Sequence, residues 1–199
     1  YTKIGHGNWS SDGALSGDID VTSVGPIMLY GGLFGDSFTQ FGHGDPFGFS
    51  DGTRRGDITV ITDGEMTLDD GLAAGSLAWV GHGTATAGGT SDADVFLQAF
   101  GFDRDLPSTV PAGDLGRFNK DILEANIPFG DFTLVATGTG LLVEDPVYNS
   151  PFQLLMSVNN DMVLNTNAIF VNSGTGNIIL AAGGDFHNDT GTLTPFTTG

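Results

Sequence analysis

Three histidines recur in one phrase at almost constant spacing. His6 sits in YTKIGHGN, His43 in FTQFGHGD and His82 in LAWVGHGT. Imidazole is the commonest protein metal ligand and a frequent general base. A shared ion, however, needs its ligands to converge within ~4 Å. If half of this period makes one coil, as argued below, the three rings stand two coils and ~9–10 Å apart, too far for one ion. The histidines therefore read as structural corners. Their flanking glycines supply positive φ, and each imidazole bonds the backbone of an adjacent coil. His187 lies in a different phrase, without an obvious partner.

Aspartates form the second recurring set. Asp18, Asp57, Asp94 and Asp131 each precede an apolar alternating run, and Asn177 holds the same place in a fifth copy. In that position an aspartate normally bonds its own backbone at the turn. A ladder of them, joined by Asp69 and Asp70, is also a candidate calcium site. Calcium takes six to eight oxygen ligands, and neither the nonapeptide calcium repeat nor an EF-hand loop occurs here. No cofactor is expected, and calcium is the one metal to test.

Other chemistry is thinly marked. Asp103, Asp105, Asp114, Asp121 and Glu124 could supply the carboxylate pair of a polysaccharide-active enzyme, but nothing fixes their spacing. Arg55-Gly56-Asp57 spells an integrin-type tripeptide in which Gly-Asp already belongs to the repeat. Gly-x-Ser-x-Gly, phosphate-loop and dinucleotide motifs are missing. No enzyme is expected. Phe47, Phe49, Phe100 and Phe102 cluster at loop margins and form a candidate contact patch.

The elements that carry these residues repeat too. GDIDVTSVGPIMLYGG at Gly17 returns as GDITVITDGEMTLDDG at Gly56, as a worn copy from Ala93, as GDFTLVATGTGLLVED at Gly130 and as GNIILAAGGDFHNDTG at Gly176. Each copy is a short alternating strand, a Gly/Asp turn and a second short strand. Such strands cannot bury their apolar face alone and must stack on their copies. The reading is an all-β chain, a parallel β-helix (β-solenoid). Asn160-Asp161-Met162-Val163-Leu164 restates the strand phrase shortly before the copy at Gly176, which suggests that one coil is half the long period. At roughly 19 residues per coil this gives about ten coils and a rod of ~50 Å. Residues 102–126 break the pattern with Pro107, Pro111, Arg104, Arg117 and Lys120. They read as an irregular insertion on the side of the rod, with a short helix around 118–125. An antiparallel sandwich would explain the short strands but not the long period.

Composition narrows the partners. Six basic residues face 24 acidic ones, a formal charge of -18, which argues against nucleic acid and anionic membranes. No apolar run is long enough to span a bilayer. Cysteine is absent, as suits a protein that crosses a membrane unfolded. Residues 1–199 read as a single segment of a larger protein, because neither end carries a cap.

The phrases at Tyr1–Asn8, Gly17–Val21, Phe38–Asp45, Gly56–Leu68, Leu77–Thr84 and Gly176–Asn188 resemble the repeat regions of filamentous-haemagglutinin-like bacterial exoproteins, adhesins of the two-partner-secreted type. The resemblance implies a right-handed β-helix and an extracellular or bacterial cell-surface location. It also implies a stalk or adhesive role; the partners expected are other protein chains or surface glycans. A self-associating filament or matrix subunit, stacking end to end or laterally, is the alternative, and a polysaccharide-active β-helix enzyme is a third.

Overall fold

The computed structural model describes residues 2–7, 13–35, 37–44, 52–69, 76–83, 91–103, 115–119, 130–144, 147–150, 152–164, 169–172, 175–188 and 196–198. Among them there are only strands, with no helix. Among the described residues the chain makes three similar passages of four strands. The first holds β1 (Thr2–Ile4), β2 (Leu15–Ser16), β3 (Ile19–Ser23) and β4 (Ile27–Tyr30). The second holds β5 (Phe38–Phe41), β6 (Arg54–Arg55), β7 (Ile58–Thr62) and β8 (Glu65–Asp69). The third holds β9 (Leu77–Val80), β10 (Ser91–Asp92), β11 (Val95–Ala99) and β12 (Gly101–Asp103), followed by β13 (Leu115–Asn119). Three shorter passages come next: β14 (Phe132–Ala136), β15 (Gly140–Glu144) and β16 (Val147–Ser150); then β17 (Leu154–Val158), β18 (Met162–Leu164) and β19 (Ile169–Asn172); then β20 (Ile178–Ala182), β21 (Phe186–Asn188) and β22 (Phe196–Thr198).

The pairing is parallel throughout and joins counterpart strands of successive passages, although among the described residues the sheets through β9, β10 and β12 end at the third passage. The main sheet runs β3-β7-β11-β14-β17-β20. Its register matches Ile19 to Ile58, Ile58 to Val95, Val95 to Phe132, Phe132 to Leu154 and Leu154 to Ile178. The side-chain period of two then sends one set of residues inward on every strand. Ile58, Val95, Phe132 and Leu154 make one buried column, and Val60, Leu97, Leu134 and Met156 make a second. Ala99, Ala136 and Val158 make a third. Met66, Phe102, Leu141 and Met162 close the core from the facing wall. Each of the Val, Leu, Ile, Phe and Met side chains among them contributes about 1.5–3 kcal/mol by leaving water.

The register corrects the expected coil. Residues one full period apart lie on neighbouring strands, as in Thr2 with Thr39 and Phe38 with Leu77, and not two rungs apart. The reason is that the Gly-His-Gly strand and the Gly-Asp strand are different walls of the same passage. The main sheet therefore has six strands where about ten rungs were expected, and the stack is shorter in proportion. From Phe132 the offset between paired residues shortens, to Leu154 and then to Ile178, and among the described residues each of these later passages has three strands.

The expected insertion also needs correction. Phe102 belongs to β12, which pairs with β8, and Leu115–Asn119 is β13, paired in parallel with β15 and lying next to β12. Part of 102–126 is thus wall rather than an appendage. Residues 118 and 119 are strand where a helix was expected, and 120–126 lie outside the described residues.

Candidate functional site

The Gly-His-Gly corners form a tight stack. The His6 and His43 rings lie 5.2 Å apart at 11°, and the His43 and His82 rings 4.9 Å apart at 24°. The expected two-rung separation is overturned because these rings stand on adjacent rungs. The backbone N–H of His6 donates to Nδ1 of His43 at 3.0 Å, and that of His43 donates to Nδ1 of His82 at 3.1 Å. Nδ1 is thus the acceptor, which leaves the proton of a neutral ring on Nε2. Nε2 of His43 then donates to the Gly17 carbonyl at 2.8 Å, and Nε2 of His82 to that of Gly56 at 3.0 Å. Burial pushes the His43 pKa down, as do His6 and Lys3 nearby, while the Gly17 carbonyl pulls it up. With both nitrogens engaged, His43 and His82 tie the corner strand to the Gly-Asp turn of the preceding passage. They have no lone pair left for a metal or a substrate.

The flanking glycines let the corners come together. A Cβ on Gly42 would stand 1.8 Å from the Gly81 carbonyl oxygen, and one on Gly5 1.9 Å from that of Gly42. Gly7 and Gly44 turn the chain at positive φ, in the left-handed region that glycine tolerates.

The aspartates form a second stack, joined from rung to rung rather than through their own turns as expected. The Asp18 carboxylate accepts the Asp57 N–H at 3.1 Å, Asp57 accepts that of Asp94 at 3.3 Å, and Asp94 accepts that of Asp131 at 2.9 Å. Asp131 accepts the Gln153 N–H at 2.8 Å, and Asp161 repeats the bond with Asp185 at 2.8 Å. Asp57, Asp94, Asp131 and Gln153 line one side of an open groove of about 270 Å³, with Thr59, Phe96 and Thr133 beside them. One oxygen of each carboxylate already serves a backbone amide. Among the described residues no three His, Cys, Asp or Glu side chains converge as a metal site.

Of the candidate aromatic patch, Phe100 and Phe102 fall among the described residues. Phe102 is fully buried in the core, so it cannot offer a surface contact. Phe100 is half-buried, with its ring over Gly138 of the next rung. Phe47, Phe49, Asp70, Asp105, Asp114, Asp121 and Glu124 lie outside the described residues.

Two residues were missed in the sequence. Gln40 is buried, and its side-chain amide donates to the Gly81 carbonyl at 2.9 Å. Arg54 is buried too, with Nη1 on the Gly52 carbonyl, while its neighbour Arg55 is exposed. The place of Gln40 in the repeat phrase is taken by Lys3 and Trp79 in the other copies, which hides its role. Arg54 carries no repeat signal at all, since its partner across the pair is Leu15.

Comparison with known proteins finds no matching family model, curated protein or solved structure.

Proposed function

We propose that this chain is a β-solenoid, a right-handed parallel β-helix, and that it serves as a structural and adhesive stalk segment of a large extracellular or surface-bound bacterial fibrous protein. The observation that carries this reading is the unbroken ladder β3-β7-β11-β14-β17-β20, in which the same inward columns continue while the passages around it change length. A stack of this kind transmits load through main-chain hydrogen bonds and leaves its outer faces free to vary. Its partners are then other protein chains or surface glycans, met along those outer faces. The acidic surface keeps such a rod soluble and away from nucleic acid.

Immunogold electron microscopy with antibody raised against this chain tests the reading on intact cells of its source. Label along fibres that leave the cell surface is expected. Label confined to the cell interior would overturn it. Turnover of a polysaccharide, lost in Asp94→Asn, would instead make the groove beside Asp57, Asp94 and Asp131 an active site.

A further inference from the structure

We infer that the face formed by β1, β2, β3 and β4 is a docking surface for one further rung of the long, four-stranded kind, with a glycine corner and an Asp or Asn at its strand entrance. The inference rests on the stacked-rung reading above and names what that stack accepts at one end.

Exposed large apolar side chains mark the two end passages. Val24 (88%), Phe34 (79%) and Leu33 (71%) belong to the first passage, with Ile4, Met28 and Tyr30, while Ile179 and Phe186 belong to the last. Among the described residues, no inner passage exposes a large apolar side chain to that degree. Exposure alone does not name an occupant. The hydrogen bonds do, because those between rungs are directional.

In the main sheet the N–H groups of Gly17 and Ile19 donate to the Arg55 and Asp57 carbonyls of the second passage. Strand alternation therefore turns the Asp18 N–H the other way, toward the open face. On the next four rungs the equivalent N–H finds a carboxylate of the preceding rung: Asp57 finds Asp18, Asp94 finds Asp57, Asp131 finds Asp94 and Gln153 finds Asp131. The corner is open in the same sense. The His43 ring takes an N–H from the preceding rung on Nδ1 and reaches back to a carbonyl of that rung through Nε2. His6 is exposed and stacks on His43 in the same orientation, and its ring nitrogens hold no hydrogen bond among the described residues. Glycine is also specified. The Cβ of Gly5 would strike the Gly42 oxygen, and that of Gly42 the Gly81 oxygen. By the same stacking, a Cβ on the corner residue of an incoming rung would strike the Gly5 oxygen.

The opposite face of a second copy does not meet this specification. Among the described residues the last passage shares only the main sheet with the first; β21 and β22 belong to other sheets, and neither β1 nor β2 has a described counterpart there. Asn177 could accept the Asp18 N–H, but no glycine-histidine corner would sit over Gly5. Head-to-tail copies would also set Asp18 and Asp20 toward the end that carries Asp185, on chains with a charge of -18 each.

The test is a fusion that places a copy of residues 38–76 ahead of Tyr1, so that Ser76 of the copy leads into Tyr1 as Ser37 leads into Phe38. Amide hydrogen exchange is read at Asp18, Asp57 and Asp94 in the parent protein and in the fusion. The expected result is slowing at Asp18 on the order of 100-fold, to the level of Asp57. A fusion carrying Gly42→Val within the copy should show none. Equal exchange at Asp18 in parent and fusion, with Asp57 and Asp94 slow in both, overturns the docking surface and leaves the stack intact. Fast exchange at Asp57 and Asp94 overturns the stack and the inference with it. Protection of Asp18 in the parent that grows with protein concentration means that a second copy covers the face, which also overturns the inference.

Discussion

Gly42→Ala is the sharpest probe of the rung-to-rung contact. The added methyl would sit 1.8 Å from the Gly81 oxygen and 2.6 Å from its carbon, both backbone atoms that no rotamer change can move. The first distance is roughly 1.7 Å short of the ~3.5 Å at which such atoms rest. The two corners must separate by a large fraction of one rung spacing. Four hydrogen bonds cross that gap: Gly81 N–H to Phe41 at 2.9 Å, Gly83 N–H to His43 at 2.8 Å, His43 N–H to His82 at 3.1 Å and Gln40 to Gly81 at 2.9 Å. Losing two or three of them at ~1 kcal/mol each, with some packing, costs about 2–4 kcal/mol. For a chain of this size that lowers Tm by roughly 5–15 °C. Gly25→Ala is the control, because nothing lies within 4 Å of its added Cβ and its φ is ordinary. It should stay within about 0.5 kcal/mol of the parent. Thermal melts followed by circular dichroism at the β-sheet band compare the three proteins. Equal Tm values for Gly42→Ala and Gly25→Ala would refute the contact.

Other consequences can be checked in the same melts. The His43 pKa is lowered in the fold, so the unfolded chain binds the proton first, and stability is full above the usual value of 6.5 and declines as pH falls from there toward the folded value. Tm should fall across that window in the parent, and His43→Gln should flatten the slope. Asp94→Asn keeps an acceptor for the Asp131 N–H and removes one charge from an acidic column, so it should leave Tm unchanged or raise it at low salt. Asp94→Ala leaves that N–H without its side-chain partner and should cost ~1 kcal/mol in urea unfolding. Leu134→Ala empties a fully buried place in the second inward column and should cost about 2–5 kcal/mol, with a matching drop in urea midpoint.

The inward columns were legible because stacking writes its alternation into every copy, as in Ile58 and Val60 against Val95 and Leu97. Rung length was not. The phrase at Asn160–Leu164 and the phrase at Gly176 look alike because both are strands entered from a Gly/Asn/Asp turn, yet β18 and β20 lie in different sheets. Local chemistry reports the turn and says nothing about which wall the strand joins. Phe102 was misread for the same reason. Its text is irregular, and its burial follows from pairing with Met66 of the preceding passage. At the aspartates the residue type was plain but the partner was not, since the acceptor and its N–H belong to different passages and meet only through register. The histidine separation inherited the error in rung length.

The main sheet passes from long offsets, Ile19 to Ile58 and Val95 to Phe132, to short ones, Phe132 to Leu154 and Leu154 to Ile178, without losing a strand. Each rung is therefore registered by its immediate neighbours and by nothing farther away. A gene for such a chain can be edited in units: a passage can be deleted, duplicated or traded for one of another length, and the message still folds on either side of the splice. Long and short passages side by side are the mark of that tolerance. Recombination between copies, which would scramble a protein with a closed core, here would change only how many rungs are stacked.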